Sequence, residues 1–84
     1  MLDNGGVHAH GGNNWPLRGQ KNSLWEGGVH AVGLVSGGLV QHNGGTTYKG
    51  LIHITDWFPT LVLLGGGSVT GLELDGYDVW KAIR

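Results

Sequence analysis

An aspartate–asparagine pair, Asp3-Asn4, is followed directly by Gly5-Gly6, and further on Lys21 sits in a run crowded with glycine and tryptophan. A carboxylate beside an amide carbonyl offers hard oxygen donors of the kind that calcium takes. Gly5 and Gly6 let the backbone come close to a ligand. Calcium needs about six to eight oxygens, so any metal site built on these two residues is half of one. The same dipeptide also reads as an Asx-type turn with no metal. Lys21 carries three donors suited to charge-assisted hydrogen bonds with sulfate or phosphate oxygens. Taken alone, it reads equally as a solvated surface cation.

Other residues invite weaker readings. His8 and His10 form an H-x-H pair that, if extended, would face one way and could share a zinc. A third ligand would have to come from His30, His42 or His53, and the spacing matches no zinc signature. Polar loop residues are the simpler account of this pair. Glu26 could orient Lys21 or Arg18 through an ion pair, or satisfy backbone donors in its own loop. The four tryptophans, Trp15, Trp25, Trp57 and Trp80, could stack on a sugar, but core packing is their default. The glycine pairs punctuate turns, and no P-loop, dinucleotide fingerprint or Ser-His-Asp arrangement is present.

The elements that must hold these residues follow from periodicity. Residues 1–2 read as the end of a strand, and Asp3-Asn4-Gly5-Gly6 as a turn. Strand ends in α/β sheets are where ligands bind. Residues 12–29 (GNNWPLRGQKNSLWEGGV) fit neither a helical nor a strand period, and read as a shaped loop of the sort that carries function. Residues 29–36 (VHAVGLVS) are rich in β-branched side chains and bounded by glycine pairs, which predicts a strand. Its apolar residues fall on both faces, as in a covered α/β sheet, with one face left bare here. Residues 51–64 predict a helix with Ile54, Trp57, Phe58, Leu61 and Val62 in one stripe. His53 or Thr55 would cap it, Asp56 favours its N-terminus, and Pro59 must lie near the first turn. Gly65-Gly66-Gly67 would end it. After a turn at Asp75-Gly76, residues 77–84 (YDVWKAIR) predict a short helix.

Size and composition bound the answer. The chain has 84 residues, enough for one small domain with no internal boundary. Eighteen are glycine, about three times the ordinary share, and each adds backbone entropy that folding must overcome. There is no cysteine, so neither a disulfide nor a thiol nucleophile is available. A net charge of −1 leaves no basic footprint for nucleic acid. No apolar run approaches a membrane span, and the first residues lack the pattern of a signal peptide. Such a composition suits a piece of a larger glycine-rich α/β enzyme.

The strings DNGG, GGNNWPLRGQKNSLWEGGVHAVGLVS, LIHITDWFPTLVLLGG and LDGYDVWKAI together resemble the arylsulfatases, in particular the arylsulfatase B-like branch with its I and J types. The resemblance runs over nearly the whole chain and is loose around residues 41–49 and 65–71. The WPLRG-x-K-x-S-LWEGG string is specific, whereas sulfatases at large share only the DNG, K, EGG and D-x-x-P-T elements.

That resemblance implies an α/β fold of the alkaline phosphatase type. This chain would be the later part of the catalytic domain, with one or two strands, an irregular loop and one or two helices. It implies that Asp3 and Asn4 ligate the active-site calcium and that Lys21 binds the sulfate of the substrate. It implies a sulfuric ester hydrolase acting on sulfate esters, sulfated glycosaminoglycans among them, in a lysosomal or secreted setting. The family's formylglycine-forming C-x-P-S-R segment is absent from these residues, as are the early aspartates that complete the calcium site. The expectation is therefore a sulfatase piece, inactive alone, that needs the rest of a sulfatase domain. His30 stands where the family usually has arginine, and imidazole lacks the bidentate fork of guanidinium. The alternative is a non-catalytic module that binds an anion or a sulfated glycan through Lys21, Arg18 and the tryptophans, or that associates with a sulfatase.

Overall fold

A computed structural model describes residues 4–84, with backbone alone at 41–43. Asp3 and the strand end expected at residues 1–2 lie outside the described residues. The chain forms two compact units, Met1–Leu34 and Val35–Arg84.

In the first unit, a 3-10 turn at His8–His10 leads into an irregular path that ends in a single helical turn, α1, Glu26–Val29. The shaped loop expected over residues 12–29 is present. Its interior is backbone packed on backbone: Gly27 and Gly28 are buried, and Gly27 N–H donates to Arg18 O at 2.7 Å. A Cβ on Gly27 would fall on the carbonyl oxygen of Gly19, and one on Gly28 on that of Ser23. Here glycine is required by close approach.

The strand expected over residues 29–36 does not form, and among the described residues there is no strand at all. Val29 closes α1 instead, and His30 N–H donates back to Glu26 O at 2.9 Å. β-Branched composition favours a pleated surface, but a strand also needs a neighbour to complete its ladder. No such neighbour is present among the described residues. Val32, Leu34 and Val35 are exposed.

In the second unit, a 3-10 stretch Gly38–Asn43 precedes a second 3-10 turn, Ile54–Asp56, which runs straight into α2, Trp57–Leu64. The expected helix is therefore real but starts at residue 54 rather than 51. His53 caps it as anticipated: its Nδ1 accepts from Thr55 N–H at 3.4 Å, and Asp56 Oδ2 accepts from His53 N–H at 2.8 Å. Pro59 lies in the first turn of α2, where a missing N–H is tolerated. Gly65 N–H donates to Leu61 O and Gly67 N–H to Val62 O, closing the helix. The apolar stripe is not the buried face, because Ile54, Phe58 and Leu61 are each more than half exposed. Burial falls on Pro59 and Thr60 instead.

The terminal helix, α3, is shorter than expected, Trp80–Ile83. Residues 77–79 are kept out of it because their backbone is held by α2. Tyr77 N–H donates to Asp56 Oδ1 at 3.0 Å, and Val79 N–H donates to Thr60 Oγ1 at 3.0 Å. Thr60 in turn donates to Asp56 O at 2.6 Å. Gly76 packs without a side chain against the Thr55 carbonyl. That carbonyl sits four residues before Pro59, which has no N–H to offer it. The D-x-x-P-T string is thus a clamp on the segment that follows.

Among the described residues no aliphatic or aromatic side chain apart from the Pro59 ring is buried, and Thr60 is the fully buried one, at 1% exposure. No helix among them is long and apolar enough to cross a membrane.

Candidate functional site

The site residues singled out in sequence belong to the first unit. Asn4 is exposed at a bend, and Asp3 lies outside the described residues. Directly after Asn4, Gly5 N–H donates to Gly28 O at 3.0 Å. The Lys21 N–H donates to Gly6 O at 3.4 Å. The loop carrying Lys21 is therefore folded back onto the turn that follows Asn4, and the Lys21 side chain is exposed.

A side chain that sequence reasoning passed over holds this fold-back. Asn14 accepts from Gly6 N–H through Oδ1 at 2.8 Å and donates to Gly6 O through Nδ2 at 2.8 Å. The same Nδ2 lies 3.3 Å from Gly19 O. A primary amide has the donor and acceptor of a peptide group, so Asn14 pairs with Gly6 as a neighbouring strand would. Gln20 adds a second tie, its Oε1 accepting from His8 N–H at 2.9 Å. Ser23 closes the turn around Lys21, donating to Gln20 O at 2.6 Å and accepting from Gln20 N–H at 3.1 Å. The doubled asparagine before Trp15-Pro16 was the available signal for this role.

The other candidates sort differently. Arg18 lies over the Trp25 ring at 3.8 Å, a cation–π contact at a half-exposed tryptophan. The Glu26 carboxylate meets His30 Nδ1 at 2.8 Å, one helical turn away, in an exposed pair. His30 thus reaches the acid of its own turn. The default of core packing fails for Trp15, which is 84% exposed. His8 and His10 sit in a 3-10 turn rather than an extended run, so the geometry that would aim both at one zinc is not formed.

Among the described residues, no group of three or more His, Cys, Asp or Glu could hold a metal ion. The carboxylate and amide oxygens of Asp3 and Asn4 suit calcium in chemical type but not in number. By themselves they do not fit the ion.

The resemblance to the sulfatases drawn from the motifs is borne out by comparison with a known protein. Over 82 residues, 96% of its length, it is 54% identical to Arylsulfatase J of Mus musculus. The chain spans 14% of the length of that relative. No family model matches the chain, and no solved structure matches it.

Proposed function

We propose that this stretch works as part of a longer arylsulfatase-type domain of α/β, alkaline phosphatase-like fold, which hydrolyses sulfate esters. In this reading residues 1–84 form one continuous piece of the catalytic domain. Asp3 and Asn4 supply two of the ligands of a calcium ion, and the other ligands come from outside these residues. Lys21 binds the sulfate group of the substrate. The setting is lysosomal or secreted, and sulfated glycosaminoglycans are among the substrates.

The identity over 82 residues supports the class of reaction. The observation that supports the pairing of the two ends of the site is the backbone bond from Lys21 to Gly6, which draws the lysine loop against the turn after Asn4. The many exposed apolar side chains, Leu24 at 96% and Leu51 at 99% among them, support a surrounding domain that would cover them. The chain alone lacks a nucleophile of the family's type, so it is expected to be inactive.

Two measurements test this. An aryl sulfate assay of the pure chain with calcium is expected to show no turnover, and calcium-dependent hydrolysis would contradict the expectation. Titration with inorganic sulfate, followed through the Lys21 amide resonance, is expected to give a saturable shift that Lys21→Ala removes. A response that survives in Lys21→Ala would end the assignment of that residue.

A second reading is a non-catalytic module for sulfated glycans. It is favoured by the exposure of Trp15 and by the Arg18–Trp25 stack in the same unit as Lys21. Trp15→Ala would weaken binding of a sulfated disaccharide under this reading and leave inorganic sulfate binding untouched under the first.

A further inference from the structure

The Gly6 carbonyl is where three parts of the first unit meet. It accepts from Asn14 Nδ2 at 2.8 Å and from Lys21 N–H at 3.4 Å. The N–H of the same residue is taken by Asn14 Oδ1 at 2.8 Å. Asn14 then reaches Gly19 O, two residues before the lysine. One partly buried amide therefore binds the turn after Asn4 on one side and the approach to Lys21 on the other. Without it, Gly6 and Lys21 would share one backbone bond of 3.4 Å, longer than the usual range of about 2.7–3.2 Å.

We propose that Asn14 is a positioning residue, which fixes Lys21 against the Asn4–Gly6 turn and so sets the distance between the anion-binding ammonium and the oxygen donors at that turn. The inference rests on the proposed sulfate-binding role of Lys21. The chemistry is specific to an amide. An aspartate has the same shape and can still accept from Gly6 N–H, but when ionised it donates to neither Gly6 O nor Gly19 O and brings a negative charge toward both carbonyls.

The test uses the full chain and two variants, Asn14→Asp and Asn14→Ala, with amide hydrogen exchange read residue by residue. Protection at Lys21 is expected to fall by about tenfold in both variants, and protection at Gly6 by as much in Asn14→Ala, where the acceptor for its N–H is gone, the scale of one hydrogen bond of about 1.4 kcal/mol. Protection at Tyr77 and Val79, in the other unit, is expected to stay unchanged and reports that the change is confined to the first unit. Lys21 protection equal to that of the parent chain in both variants would overturn the proposal, as would an unprotected Lys21 in the parent chain. Inorganic sulfate then separates positioning from mere support of the loop. The parent chain is expected to bind it about tenfold more tightly than Asn14→Asp. Equal affinity with lost protection would also overturn the proposal. A parent chain with no sulfate response strikes the proposed role of Lys21, and the exchange data alone then decide whether Asn14 holds the loop.

Discussion

Asp56 and Tyr77 are joined by a hydrogen bond of 3.0 Å from the Tyr77 backbone N–H to the Asp56 carboxylate, across 21 residues of sequence. The other carboxylate oxygen takes the N–H of His53. One side chain therefore starts the helix and grips the segment that returns past it. Removing it should cost both functions. Asp56→Ala is expected to destabilise the second unit by about 1–3 kcal/mol, since a cap and a long-range acceptor are lost together. Exchange at the Tyr77 and His53 amides measures this directly. An unaltered Tyr77 amide in the variant would show that the clamp contributes nothing.

Acid should release the same clamp. The Tyr77 and His53 amides hold the Asp56 carboxyl below its ordinary value, chiefly the Tyr77 bond and then that of His53. A carboxyl whose folded pKa is depressed stabilises the fold fully above its unfolded pKa of about 3.9. That contribution is lost as pH falls through the lower folded value. Tyr77 protection is therefore expected to decline on acidification below about pH 4, and Asp56→Asn is expected to flatten that decline. An identical acid slope in the variant would assign the effect to another group.

Thr60 is the buried partner of this arrangement, donating to Asp56 O and accepting from Val79 N–H. Thr60→Val keeps the shape and removes the hydroxyl. It is expected to cost about 1–3 kcal/mol because the Val79 N–H and Asp56 carbonyl lose their partner. Thr60→Ser keeps the hydroxyl and loses one methyl, about 0.8 kcal/mol. Denaturant melts of the two variants give the comparison, and a Val variant as stable as the Ser variant would reverse the order argued here.

In the first unit, Gly27→Ala places a methyl group on the carbonyl oxygens of Gly19 and Arg18, which are backbone and cannot swing aside. The loop should be displaced at a cost of about 1–3 kcal/mol, and the Arg18–Trp25 stack should separate. Tryptophan fluorescence is the readout, with Gly65→Ala as the reference, a position of negative φ where a Cβ meets nothing nearer than 3.4 Å. Matching spectra for Gly27→Ala and the parent chain would mean the tight packing is not required.

Much of the second unit was legible in advance. The helix, the His53 cap, the acid at its start, the place of Pro59 and the glycine stop all depend on neighbours a few residues apart, and local rules suffice for them, whereas the stripe expected to be its buried face stays exposed. The strand at residues 29–36 was misread because β-branched composition describes half of what a strand requires. The other half is a partner ladder, which no local pattern supplies. The helix at residues 77–84 was overextended for a related reason. Its first residues are claimed by Asp56 and Thr60, more than fifteen positions earlier. In the first unit the irregular loop was visible as a broken period. The role of Asn14 was not, because side-chain to backbone pairing leaves no periodic trace.

The one fully enclosed side chain among the described residues is a hydroxyl-bearing threonine. Opening such a structure wets less hydrocarbon than opening a domain with an apolar core, so the heat capacity should rise less on melting and the stability curve should be shallower. Cooling would then bring little loss of stability, and urea would act with a gentle slope.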